Sequence, residues 1–242
     1  MSRHGAGPGL PAGERPHVVV VPGLGLLGYL DPLLRALGRC GLGATVLDVP
    51  GHDRRSRRVV AATVPSIAAA TAEAVLARPG AERLVLLGHS TGAQAALRAA
   101  LVLQDIRRLD AVVLAGPTVA PTQRRLDLLA LASVAAYRRD SPRELVVLPE
   151  VLRARLRLLT LLRSAIADRP ERAVPRLSVP LVLTAGRSDA FAPQWWLEVL
   201  AGAATRSPRV LVERLGGSHN NPYTHADELA ALIRRSLRPE AT

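Results

Sequence analysis

The sequence contains no lysine. All 32 of its basic side chains are arginine, and against 20 acidic residues they leave a formal net charge of +12. A single cysteine, Cys40, excludes an intrachain disulfide and gives no sign of an oxidising compartment. Two Trp, three Tyr and one Phe are the only aromatic residues, so Leu, Val and Ala must fill the core. No apolar run approaches the ~18 residues that a membrane span needs. The first 16 residues are rich in Gly, Pro and charge and lack the apolar centre of a signal peptide. Residues 1–16 therefore read as a flexible tail, and the protein as cytoplasmic with no stable membrane insertion. The densest basic patch, Arg54-Arg55-Ser56-Arg57-Arg58, has none of the aromatic stacking platforms of a single-stranded nucleic-acid groove nearby. The charge is read as a solvated arginine surface, with no nucleic-acid partner.

What the chain does have is apolar content, 48% of 242 residues, enough to bury a sizeable core. Short apolar runs alternate with longer helical patterns. His17-Val18-Val19-Val20-Val21 is a β-branched run of the kind buried on both faces of a sheet. Further strands are expected at residues 44–49, 83–87, 110–115, 181–185 and 209–214, with helices between them. That alternation means βαβ units and a mostly parallel sheet. Only the stretch from Pro117 to Pro175 breaks the rhythm, with helical pattern and no strand. Within it Leu152, Leu156, Leu159 and Ile166 share a face beside Arg153, Arg155 and Arg157. A basic amphipathic stretch can lie on a membrane surface, but the commoner arrangement packs it on its own domain with the arginines in water.

Gly88-His89-Ser90-Thr91-Gly92 fits G-x-S-x-G, directly after an apolar strand and at the opening of an Ala-rich helix. A turn that sharp forces the serine into a strained conformation, and side chains two positions to either side would collide. The helix starting there aims free N–H groups at the reacting centre. Ser90 is thus the candidate nucleophile.

Several further motifs appear in order: Val19-Val20-Val21-Pro22-Gly23-Leu24-Gly25, Asp48-Val49-Pro50-Gly51-His52, Gly186-Arg187-Ser188-Asp189 and Gly216-Gly217-Ser218-His219. Together with the Ser90 turn, they resemble the oxyanion loop, D-x-P-G-H turn, acid loop and histidine loop of the α/β-hydrolase fold superfamily, over residues 18–237. The resemblance implies a doubly wound, mostly parallel sheet flanked by helices, with a helical cap insertion. The hydrolase core would span residues 17–116 and 176–242 and the cap residues 117–175. The first strand would be the one that usually comes third in the family.

Serine needs a base within hydrogen-bond reach. Of six histidines, His4 lies in the tail, His17 begins a strand, His52 sits in a Pro-Gly turn, and the His89 side chain should point away from Ser90. His225 falls in the first turn of the last helix. His219 follows a strand and a small-residue loop at the sheet edge where Ser90 is expected, and is the candidate base. Asp189, four residues after the 181–185 strand, is the candidate acid; Glu213 and Asp168 are its rivals. The order Ser, Asp, His is the one that these hydrolases show. The N–H groups of Thr91 and Leu24 are the expected oxyanion donors, although the family often has His-Gly where this chain has Pro22-Gly23. Gly23, His89 and Trp195 are expected to line the substrate pocket.

Gly23-Leu24-Gly25-Leu26-Leu27-Gly28 also matches G-x-G-x-x-G, with Asp48 downstream. A dinucleotide site would leave the Ser, Asp and His motifs unexplained, so no cofactor is expected. No metal is expected either, because no histidine pair shares ligand spacing with a carboxylate and Cys40 has no partner. The resulting expectation is an esterase-like serine hydrolase acting on a small, mostly apolar ester or lactone. The alternatives are a carbon–carbon bond hydrolase of aromatic-breakdown products, a cofactor-free perhydrolase, or a non-catalytic receptor on the same fold. The oligomeric state is not legible.

Overall fold

The computed structural model describes residues 16–25, 27–48, 60–79, 83–106, 109–139 and 148–238. Residues 1–15 of the expected tail, the Arg54–Arg58 patch and the whole Pro50-Gly51-His52 turn lie outside them. Six strands, β1 (His17–Val21), β2 (Gly43–Val46), β3 (Leu84–His89), β4 (Leu109–Ala115), β5 (Leu181–Gly186) and β6 (Val210–Leu215), form one sheet. Its order is β2-β1-β3-β4-β5-β6, and every neighbouring pair is parallel.

Parallel strands need crossovers, and these are helical. On one face, α1 (Asp31–Arg39) and α8 (Ala226–Ser236) pack on Val18, Val20, Val85, Leu87, Ala111 and Val113. On the other, α2 (Val64–Leu76), α3 (Thr91–Leu103) and α7 (Gln194–Ala203) cover Val19, Val21, Leu86, Val112, Leu114 and Leu183. Successive residues of one strand thus join opposite core clusters, because side chains alternate across a sheet. Burial on both faces is why these strands read as unbroken apolar runs.

Between β4 and β5 the described residues form the α-helices α4 (Leu126–Arg139), α5 (Leu148–Ala167) and α6 (Pro170–Ala173). The C-terminal half of α5 packs on the body of the domain. Leu161 and Ala165 are buried, the Ser164 hydroxyl accepts the Val64 N–H at 2.9 Å, and Gln94 donates to the Ala165 carbonyl. Just beyond α5, Arg98 grips Asp168 at 2.7 Å. For residues 157–167, that is the globular alternative. Among the described residues, no helix is long and apolar enough to cross a membrane.

The second strand ends at Val46 and not at the expected Val49. It is an edge strand, and its residues pair only with His17–Val20 of β1. With so few aromatics, one stands out. Trp196 is fully buried, and its indole N–H donates to the Pro117 carbonyl at 3.0 Å, tying α7 to the turn after β4. Trp196→Phe removes that bond and leaves a buried carbonyl unpaired, which typically costs about 1–3 kcal/mol. Urea unfolding should therefore show a lower midpoint with an unchanged slope.

Candidate active site

The chain runs from β1 outward to β2, then returns to β3 on the other side of β1 and continues through β4, β5 and β6. The reversal lies between β1 and β3, where the loops after their carboxyl ends diverge. Open α/β sheets hold their sites in that crevice.

Ser90 stands there, between the end of β3 and the start of α3, with φ 57° and ψ −125°. A non-glycine residue held at positive φ stores about 1–3 kcal/mol of strain. The flanking glycines make the turn sterically feasible. A Cβ at Gly88 would meet the Gly92 carbonyl and, at 2.6 Å, the Ala93 Cα. One at Gly92 would meet the Val21 carbonyl and, at 2.6 Å, that of Pro22.

The three side chains picked out along 130 residues of sequence meet at this point. Ser90 Oγ lies 2.9 Å from His219 Nε2, and His219 Nδ1 lies 3.0 Å from Asp189 Oδ2. Ser90 and Asp189 are buried, and the His219 side chain keeps only 11% exposure. A carboxylate only accepts, so the imidazole proton sits on Nδ1 and Nε2 presents its lone pair to the serine hydroxyl. That is the tautomer a base needs. Asp189 Oδ1 accepts the N–H groups of Phe191 and Ala192 at 2.8 and 3.1 Å. Burial pushes this carboxyl up, but the His219 ring and those two N–H groups outweigh it and hold Asp189 below the ordinary carboxylate value. The two rival acids are engaged elsewhere, Asp168 with Arg98 and Glu213 with Arg235.

Around the oxyanion loop the structure departs from expectation. Leu24 follows β1 and is brought against the start of α3, itself at positive φ (53°), and its N–H donates to the Thr91 hydroxyl at 3.0 Å. The expected donor is therefore directed at a side chain of the elbow, because the Gly23–Gly25 turn folds back onto it. The Thr91 N–H opens α3, where the first N–H groups of a helix have no intrahelical acceptor.

Two of the three expected pocket residues are placed against the elbow. Gly23 abuts Ser90, with a Cβ there falling 2.8 Å from the serine Cβ. His89 is only 2% exposed. As the last residue of β3 it turns inward, with Nδ1 2.7 Å from the Tyr29 hydroxyl and Nε2 2.8 Å from the His219 carbonyl. Burial and the neighbouring His219 push its pKa down to about 3, so the ring is neutral. Trp195 is 40% exposed on α7, its ring centroid 6.1 Å from that of Trp196.

Other residues of the site carried no sequence signal. Phe191 places its ring 4.6 Å from that of His219. Arg214, from β6, straps the acid loop by donating to the Ala192 carbonyl at 3.1 Å and to the Gly186 carbonyl. Gly116, at φ +55° after β4, lies against the acid and base. A Cβ there would come 3.1 Å from Asp189 Oδ2 and 3.2 Å from His219 Nδ1. Gly116→Ala should therefore both strain the backbone and displace the imidazole. The expected outcome is a fall in kcat of about 10²-fold, since a shift of about 1 Å suffices for that, in a protein that remains folded by circular dichroism. Among the described residues no cluster of three or more His, Cys, Asp or Glu is placed to hold a metal.

A parallel sheet in this order, carrying a strained serine hydrogen-bonded through histidine to aspartate, defines an α/β hydrolase. The sequence model of the alpha/beta hydrolase family matches residues 18–232, and the chain belongs to that family. No curated protein matches it in sequence. Among solved structures, it is similar to the RedJ thioesterase of the prodiginine biosynthetic pathway in Streptomyces coelicolor. The identity is 23% and the TM-score 0.69, over 97% of this chain and 91% of that one. It is similar also to a lipase-esterase related protein from Clostridium acetobutylicum, with 14% identity and a TM-score of 0.70 over 92% of this chain and 95% of that one. A third is YbtT, a type II thioesterase of the yersiniabactin pathway, with 20% identity and a TM-score of 0.64 over 93% and 94%. At these identities, the likeness is one of fold.

Proposed function

We propose that the protein is a serine hydrolase that cleaves a small, largely apolar ester or thioester through an acyl-enzyme on Ser90. The observation that carries this reading is the continuous Ser90–His219–Asp189 hydrogen-bond chain, with the imidazole in the tautomer that accepts the serine proton.

The chemistry follows from those positions. Ser90 Oγ attacks the acyl carbonyl carbon as its proton passes to His219 Nε2, and Asp189 stabilises the imidazolium. The negative charge formed on the carbonyl oxygen is held by the Thr91 N–H and the positive end of α3, with Leu24 beside it. The tetrahedral adduct collapses, and the alcohol or thiol leaves with the proton returned by His219. Water, deprotonated by the same nitrogen, then attacks the acyl-serine and releases a carboxylic acid. The apolar preference rests on the Leu- and Ala-rich helices between β4 and β5. The thioester arm rests on the names of two similar structures, both called thioesterases.

A fluorophosphonate probe followed by peptide mass spectrometry tests the nucleophile, and a panel of nitrophenyl esters and N-acetylcysteamine thioesters of graded acyl length tests the substrate. Labelling at Ser90 with turnover on short or medium apolar acyl groups is expected. A folded protein that neither labels nor turns over any member would reject the reading in favour of a ligand receptor on this fold.

A further inference from the structure

A second chain of buried polar groups runs behind the triad and does not belong to it. The Gly23 N–H donates to the Tyr29 hydroxyl at 2.9 Å, that hydroxyl lies 2.7 Å from His89 Nδ1, and His89 Nε2 lies 2.8 Å from the His219 carbonyl. Tyr29 and His89 are 4% and 2% exposed, so water does not compete for these bonds.

The proton positions follow from donor chemistry. A backbone carbonyl only accepts, so His89 Nε2 carries the hydrogen. In the neutral ring Nδ1 is then an acceptor, which makes the Tyr29 hydroxyl its donor and leaves the tyrosine oxygen to accept from Gly23. Each bond has one donor and one acceptor, and the order runs a single way from the oxyanion loop to the histidine loop. The rings reinforce it. His89 lies 5.3 Å from Tyr29 and 5.0 Å from His219, centroid to centroid.

The chain joins three segments that the sheet alone leaves independent: the loop after β1, the elbow after β3 and the loop after β6. We propose that Tyr29 and His89 are positioning residues that lock the oxyanion loop and the His219 backbone into register with Ser90 through this one-directional hydrogen-bond chain. The proposal rests on the serine-hydrolase reading. It adds that the residue before the nucleophile acts on the base, through the base's own carbonyl, and that Tyr29 carries the restraint onward to Gly23. Neither side chain touches the substrate.

The test compares Tyr29→Phe, His89→Gln and the double variant with wild type. Phe keeps the ring and removes one oxygen. Gln keeps a donor that can reach the His219 carbonyl and leaves no acceptor at the Nδ1 position that faces the Tyr29 hydroxyl. Each single variant is expected to lower kcat by about 10- to 100-fold, as small displacements of reacting groups do, with KM changed less than about threefold and a matching fall in the rate of fluorophosphonate labelling. Because both break the same chain, the double variant should be about as slow as the slower single, where independent effects would multiply. Folded single variants with wild-type kcat, or multiplicative losses in the double, would overturn the proposal. A readout independent of activity is the nitrogen-15 spectrum of the imidazoles at pH 7. His89 should show the Nε2–H tautomer, and an Nδ1–H tautomer there would equally overturn the proposal. Wild type separates the two readings: if Ser90 fails to label, the hydrolase reading falls, while the tautomer still reports on the chain.

Discussion

Ser90→Ala is expected to lower kcat by on the order of 10⁶-fold, the scale on which removing the nucleophile of a serine triad acts. Hydrolysis by the remaining donors and by binding alone should persist at a low level. The loss should fall on kcat with KM little changed, because Ser90 Oγ is buried and contributes to bonding only when it attacks. Stability should not rise, because alanine at φ 57° carries strain of the same kind as serine and the variant loses the Ser90–His219 hydrogen bond. Steady-state kinetics on the best substrate of the ester and thioester panel, with thermal unfolding alongside, checks both halves. Undiminished turnover in the variant would dismiss Ser90 as the nucleophile.

Asp189→Asn is the second large effect, expected to cost about 10⁴-fold in kcat with the fold intact. The reason is one of direction. Asp189 Oδ1 is held by two backbone N–H groups, from Phe191 and Ala192, which only an oxygen can accept. The amide oxygen of Asn must therefore take that place, and its NH₂ group must face His219 Nδ1. An NH₂ donates, so Nδ1 gives up its proton and Nε2 acquires one, pointing N–H at a serine that needs a lone pair. The imidazole keeps its place but has the wrong tautomer.

The same residue sets a pH signature. Its folded-state pKa lies below the ordinary carboxylate value, so the stability it contributes is fully present above about pH 4, the unfolded value, and is lost as pH falls through the lower folded one. The stability gap between wild type and Asp189→Asn should hold level from neutral pH down to about pH 5 and narrow below about pH 4, by urea unfolding at each pH. An acid limb of activity above that range then belongs to a group other than Asp189.

The sequence carried what is local or periodic. β-branched runs buried on both faces mark the inner strands wherever they occur. Gly88-x-Ser90-x-Gly92 after such a run marks the elbow: the demand on Gly88 comes from Gly92 and Ala93 a few residues on, although the demand on Gly92 comes from the Val21 and Pro22 carbonyls after β1. Asp189 and His219 could be picked out because each lies in the loop just after a strand of a parallel sheet, and all those strand ends lie on one edge. The length of β2 was less legible, since an edge strand ends where its pairing with its one neighbour ends, here at Val20 and Val46, and not where its own apolar pattern does. The Leu24 N–H, expected to face the oxyanion, depends on how one loop folds back on the hydroxyl of Thr91, and no pattern within the loop encodes that.

By itself, then, the sequence determined the strand and helix alternation, the elbow, and the residue types able to perform nucleophile, base and acid chemistry. Each is set by φ/ψ limits, side-chain period or functional-group chemistry over a few neighbouring positions. Only the tertiary structure decided that His89 turns inward to the carbonyl of His219, that Tyr29 links it to Gly23, that Arg214 straps the acid loop, and that Gly116 must lack a side chain. Each of these joins segments far apart in the chain, and the distances and hydrogen-bond directions that make them matter exist only once the sheet has brought those segments together.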